Sequence, residues 1–181
     1  MNPLLRYLDR NGILLCNANP ELPALEDVGC SWSDVTELID RQELFYCKAF
    51  KKRTTYLSAK AYYLLKEIRR KKPLTPAAQK IHDILEDGAA VDTAFLKAVS
   101  GLDAKGFREG FDLLLQNLYI TALYNGKPLN ENWSAFLYGT AEEWEERVPA
   151  PAPVENPGER LWEILGQTMT ERQFKSLIGG R

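Results

Sequence analysis

Apolar side chains recur at helical spacing through the middle of this chain. After Thr75 and Pro76 they fall at Ala77, Ala78, Ile81, Ile84 and Leu85, and Gly88 follows. A threonine cap with proline at the first helical position is a strong start signal. Asp92 can cap a shorter helix holding Phe95, Leu96 and Val99, stopped by Gly101. Asp103 can cap a third, on which Phe107, Phe111, Leu114, Leu115 and Leu118 make one apolar stripe. Residues 119–124 and 134–138 then predict two strands, with Asn125-Gly126-Lys127-Pro128 breaking the chain between them.

The pattern before residue 72 is related. Leu4, Leu5, Leu8 and Ile13 suggest a helix within residues 3–15, closed by Asn11-Gly12. Residues 20–23 read as loop. A second helix starts near Ser31 or Ser33, with Trp32, Val35, Leu38 and Ile39 on one face. Residues 44–50 and 54–57 are rich in aromatic and β-branched side chains and predict a hairpin joined by Lys51-Lys52-Arg53. No Asn-Gly or Asp-Gly marks the turn, so the pattern leaves its register open. Residues 59–70 return to helical spacing through Tyr62, Tyr63, Leu65 and Ile68. A helix-then-hairpin order thus occurs twice by pattern, without a repeat in residue identity.

Beyond the second hairpin, Thr140 and Glu143 form a capping box for a brief acidic helix around Trp144. Pro149-Ala150-Pro151-Ala152-Pro153 reads as a stiff linker. Two further helices follow, one from Asn156-Pro157 and one capped by Thr170 with Gln173. The expected fold is α+β and mainly α. A helix and basic β-hairpin half, open to a winged-helix-like reading of its own, covers 1–72, and a winged-helix domain covers 73–148, in the order helix, short helix, longer helix, hairpin. A proline-rich linker at 149–156 and a C-terminal helix pair at 157–181 complete it.

Charge changes this picture more than composition does. The chain has 181 residues, 45% hydrophobic and 27% charged, with a net charge of −2. Residues 48–72 nevertheless hold ten basic side chains and one acidic one, Glu67. The flanks are acidic, so the three segments carry −5, +9 and −6. A local field of this size, not the mean, decides what a surface attracts. Lys48, Lys51, Lys52, Arg53, Lys60, Arg69 and Arg70 are the candidate contacts to a phosphate backbone. Tyr46, Phe50 and Tyr56, interleaved with them, could stack on unpaired bases. The alternative is a solvated basic edge, or a patch that docks on acidic protein surface. The third helix of 73–148 offers Lys105, Arg108, Glu109, Asp112 and Gln116 behind Asp103. Two cations against three carboxylates argue against sequence-specific reading of a groove.

The stretch Leu74-Thr75-Pro76-Ala77-Ala78-Gln79-Lys80-Ile81, with residues 92–100 and 107–121, resembles the winged helix of the AlkZ/YcaQ-like DNA glycosylase family. Glu43-Leu44-Phe45-Tyr46-Cys47-Lys48 and Thr54-Thr55-Tyr56-Leu57-Ser58 resemble the hairpin upstream of it. Trp133-Ser134-Ala135-Phe136-Leu137-Tyr138 and Glu143-Trp144 resemble its wing and closing helix. The closer resemblance is to short AlkZ-related members. It implies a bacterial DNA-repair setting, DNA as partner, and a glycosylase among the activities to weigh. The long enzymes carry a catalytic Gln-x-Gln or Gln-x-Asp element. None of the glutamines here, Gln42, Gln79, Gln116, Gln167 and Gln173, stands in one, so no catalytic residue is assigned.

Other chemistry has little support. Cys16, Cys30 and Cys47 include no C-x-x-C and read as free thiols in a reduced compartment. With His82 the only histidine, no metal site is expected, and His82 reads as edging the core. Asp9, Glu26, Asp27 and Asp34 are carboxylates that read as surface groups or helix caps. No phosphate-loop or dinucleotide motif is present, so no cofactor is expected. The absence of a leader or a long apolar run points to the cytoplasm rather than a membrane. A protein partner or self-association stays open beside DNA.

Overall fold

The computed structural model describes residues 1–128 and 134–180. Its first unit runs α1 (Pro3–Asn11), β1 (Ile13–Leu15), a 3₁₀ turn (Leu25–Val28), α2 (Trp32–Arg41), β2 (Phe45–Phe50) and β3 (Arg53–Leu57). After α3 (Ala59–Ile68) comes a second unit of α4 (Pro76–Asp87), α5 (Thr93–Ser100), α6 (Ala104–Gln116), β4 (Ile120–Pro128) and β5 (Ser134–Thr140). The chain closes with α7 (Ala141–Arg147), α8 (Pro157–Leu165) and α9 (Glu171–Gly179). The protein is α+β, with more of its described residues in helices than in strands. Among the described residues no helix is long and apolar enough to cross a membrane.

The two units repeat one pairing order. In the first, β1 pairs with β3, which pairs with β2, all antiparallel. In the second, β4 pairs with β5, and Val91, between α4 and α5, makes an isolated antiparallel bridge to Tyr138 of β5. Thus the segment after each first helix joins the last strand of its own unit.

Caps set the helix starts as the sequence implied. Thr75, Asp92, Asp103, Thr140 and Thr170 each accept a backbone N–H from the first turn that follows. The first helix closes at Asn11-Gly12 as the sequence implied. It stops at Asn11 because Gly12 turns into the left-handed region at φ 77° and its N–H bonds Leu8 O at 2.8 Å. Gly12 is also crowded, since a Cβ there would stand 2.8 Å from side-chain atoms of Ile164 and Leu165. Ile13, Leu14 and Leu15 are all buried, and their short apolar run becomes a strand rather than a helix end. The break expected at Asn125-Gly126-Lys127-Pro128 is instead strand, because register shifts after Ala122 and Asn125 absorb the irregularity. Trp133, expected in this hairpin, lies outside the described residues.

Two apolar clusters hold the molecule, and both draw side chains from either side of residue 72. One joins Leu4, Leu38, Tyr46 and Tyr56 to Ile81, Leu114 and Phe136. The other joins Phe45, Tyr62 and Leu65 to Trp144, Leu161, Leu165 and Leu177. The C-terminal helices therefore return across the linker to pack on the first unit. The units also interlock: α6 lies against β2, and α2 lies against β4. Thr121 Oγ1 seals the crossing, accepting Tyr46 N–H at 2.9 Å and donating to Tyr46 O at 2.8 Å. The Trp144 indole N–H donates to Leu44 O at 3.2 Å.

The first hairpin carries an unusual turn. Phe50 pairs with Arg53, so Lys51 and Lys52 alone make the reversal, at φ 47° and 61°. Positive φ at both central residues defines a primed turn, which favours Asn-Gly. For a residue with a Cβ the left-handed region costs about 1–2 kcal/mol. Replacing Lys51→Asn and Lys52→Gly together should therefore raise stability by about 1–2 kcal/mol, several degrees in Tm by calorimetry. An unchanged or lowered Tm would show that the turn is not strained.

Candidate nucleic-acid interface

The basic block does not stay together in space. Its members separate because Lys60 and Lys66, on α3, lie away from the turn, whereas the residues that follow α3 return to it. Lys51 and Lys52 form the tip of the first hairpin, and Arg53 opens β3 beside them; all three are exposed. Lys48, on β2, is half-buried and donates to Asp112 of α6 at 2.8 Å. Lys60 lies at the first turn of α3, lining a different cavity of about 730 Å³ with Asp9, Arg41, Glu43 and Arg147. Lys66 pairs with Glu145 of α7. Lys71 lies 4.0 Å from the centre of the Tyr119 ring, where burial lowers its pKa.

Arg69 differs most from expectation. It is 8% exposed, and its guanidinium donates to Ala49 O at 3.0 Å, to Gln116 O at 2.6 Å and to Leu177 O. These three carbonyls belong to β2, to the end of α6 and to α9. Burial pulls the Arg69 pKa below the ordinary guanidinium value. Both terminal nitrogens of the guanidinium are committed to carbonyls inside the fold, so Arg69 serves as an internal brace rather than a surface cation. The next residue, Arg70, is exposed, and its backbone N–H bonds Ile178 O at 2.9 Å.

Two adjoining clefts collect the remaining cations. A cleft of about 740 Å³ opens between the hairpin tip, Arg70 and α9, lined in part by Lys51, Arg70, Arg172 and Lys175. A smaller one of about 290 Å³ shares Lys51 and adds Lys48, Lys52 and Lys72, with Arg69 behind. Glu21 reaches Lys51 at 2.5 Å. Lys52, Arg53, Arg70, Lys72, Arg172 and Lys175 carry no ion pair among the described residues. Arg172 and Lys175 escaped the sequence reading. They stand in a C-terminal segment of mixed charge, about a hundred residues from the block, and only the docking of α9 brings them to it.

The interleaved aromatics point inward. Tyr46, Phe50 and Tyr56 are buried, and burial raises the hydroxyl pKa of Tyr46 and Tyr56. They support the sheet instead of offering stacking surfaces. On α6, Lys105, Arg108 and Glu109 are exposed, Asp112 is held by Lys48, and Gln116 O is held by Arg69.

The family model described as AlkZ related matches residues 24–175. The chain belongs to the AlkZ-related family. No curated protein and no solved structure matches it. The match runs from just before the 3₁₀ turn into α9, so it takes in the hairpin tip, Arg70, Arg172 and Lys175.

Other side chains of this AlkZ-related protein take quieter places. Asp27 and Asp34 accept backbone N–H groups of Ala24 and Ser31 at 2.8 Å and 2.7 Å, as caps do. Asp9 and Glu26 are exposed. Gln42 ends α2 at φ 55°, buried, and donates to Leu123 O at 3.3 Å. Gln79 donates to Asp83 at 2.7 Å, and Gln173 completes the α9 capping box. His82 is half-buried beside the Tyr119 ring, 3.8 Å from Glu86; with Asp83 these groups lie close together on the open face of α4. Cys47 is fully buried, and burial pushes its thiol up to about 12, which leaves little thiolate at neutral pH.

Proposed function

We propose that this protein binds DNA through its sugar–phosphate backbone, using the hairpin tip and the connector after α3. The observation that carries the reading is the convergence of Lys51, Lys52, Arg70 and Lys72 on adjoining clefts at one surface. The strained turn supports it, because two lysines occupy positions that Asn-Gly would fill at lower cost. Membership of the AlkZ-related family adds DNA as the expected partner.

We further infer that each unit is a winged helix, so that two are arranged in tandem. The repeated order of helix, edge segment, short helical element (a 3₁₀ turn in the first unit, α5 in the second), helix and hairpin supports this, as does the matching strand order. The third helix of each unit, α2 and α6, packs on the hairpin of the other. That packing favours backbone contact by the hairpin over insertion of a recognition helix into a groove.

A salt titration tests the reading. Four unpaired cations, Lys52, Arg53, Arg70 and Lys72, predict a slope near −4 in log K against log salt for duplex DNA, about −0.9 per phosphate neutralised. Sequence should matter little, so scrambled duplexes should bind alike. Absence of binding at about 50 mM salt, where such contacts are strong, would sink the proposal.

A further inference from the structure

We propose that the larger cleft seats the terminal phosphate of a nucleic-acid strand, held by Arg172 and Lys175 of α9 together with Lys51 and Arg70. The inference rests on the DNA-binding reading and names the part of the ligand this cleft takes.

The walls are tied to one another. Arg69 joins β2 to α9 through Ala49 O and Leu177 O. Arg70 N–H bonds Ile178 O at 2.9 Å, and the Gln173 amide donates to Glu21 O at 3.3 Å. The backbones that carry the cations are therefore braced, and the ordering left for a ligand to impose is that of the side chains.

Size and lining restrict what enters. At about 740 Å³ the cleft has the volume of a small-molecule pocket. A duplex can lie only across such a mouth, whereas the end of a strand can go in. No aromatic side chain is among the lining residues, so a base finds nothing to stack on. Four cations face a single carboxylate, Glu21, which already rests on Lys51 at 2.5 Å. That carboxylate shows Lys51 placed to hold an oxyanion on this wall.

The charge count favours a chain end over a chain interior. An internal phosphodiester carries one negative charge. A terminal monoester carries about −1.5 to −2 at pH 7, with a second ionisation near 6, and offers three acceptor oxygens. Arg70 and Arg172 supply planar donor forks suited to such a group.

Fluorescence anisotropy with the full chain tests this, using one single-stranded oligonucleotide ending in a 5′-phosphate, a 3′-phosphate or hydroxyls only. One phosphorylated end should bind about tenfold tighter than the hydroxyl form at pH 7.5. The preference should shrink at pH 5, where the monoester has gained a proton. In the double variant Arg172→Gln, Lys175→Gln the ratio between phosphorylated and hydroxyl forms should fall to about one. Equal binding of the phosphorylated and hydroxyl forms by the wild type overturns the proposal while leaving backbone binding intact. A phosphoserine peptide that competes as well as the phosphorylated oligonucleotide also overturns it. If no oligonucleotide binds at low salt, the underlying DNA reading falls with it.

Discussion

Reversing the charge of Lys51, Lys52 and Arg53 to glutamate should abolish retention on DNA at about 50 mM salt, a loss of at least about 100-fold. Three cations at the hairpin tip become three anions, so attraction to phosphate is lost and repulsion takes its place. The fold tolerates the change, because glutamate meets the same left-handed backbone cost at 51 and 52 as lysine does, and an exposed substitution otherwise usually shifts stability by about 0.5 kcal/mol or less. The added cost comes from Glu21, which would meet a glutamate in place of Lys51. A melting curve close to wild type together with lost binding is the expected pair of results. Binding that persists with the wild-type salt slope would place the interface elsewhere on the molecule.

Replacing Arg69→Met should lower stability by about 3–5 kcal/mol, while Arg70→Met should change it by about 0.5 kcal/mol or less. The two arginines are neighbours in sequence and opposite in environment. Arg69 satisfies three carbonyls lying 20, 47 and 108 residues away along the chain. Methionine fills similar volume and donates nothing, so buried acceptors are left without partners, at about 1–3 kcal/mol each. Chemical denaturation of the two variants measures the contrast. Equal midpoints would show that water replaces the guanidinium and that the brace is dispensable. Loss of the brace should also loosen α9, the wall that carries Arg172 and Lys175.

Much of the fold was legible from local pattern. Caps at Thr75, Asp92, Asp103, Thr140 and Thr170 are short-range hydrogen bonds between residues three apart, so sequence spacing reveals them directly. The apolar stripe from Phe107 to Leu115 likewise reports which face of α6 is buried, whereas Leu118, expected on the same helix, lies beyond its end at Gln116 with φ 62°. The short strand Ile13–Leu15 was not legible, because a fully apolar triplet has no period of its own. Nor was the tight turn at Lys51-Lys52, whose register comes from β3 pairing on both sides rather than from turn residues.

The site was legible in part. The density of cations in 48–72 marked the hairpin and connector, and the structure gathers Lys51, Lys52, Arg70 and Lys72 into adjoining clefts. The same density said nothing about Arg69 turning inward, Lys60 going to the far end of α3, or Lys66 pairing with Glu145. Those outcomes depend on partners from α6, α7 and α9, far away in the chain.

The sequence by itself determined the helices, the basic hairpin and the polarised charge, since each follows from backbone preference and spacing within a few residues. Only the tertiary structure decided which of the charges share a surface. That choice rests on contacts between distant segments: α9 docks on the first unit through Leu177, and Arg69 ties its carbonyl to β2. A local pattern carries no record of such contacts, because burial periodicity fixes the face a side chain leaves by and not the neighbour it meets.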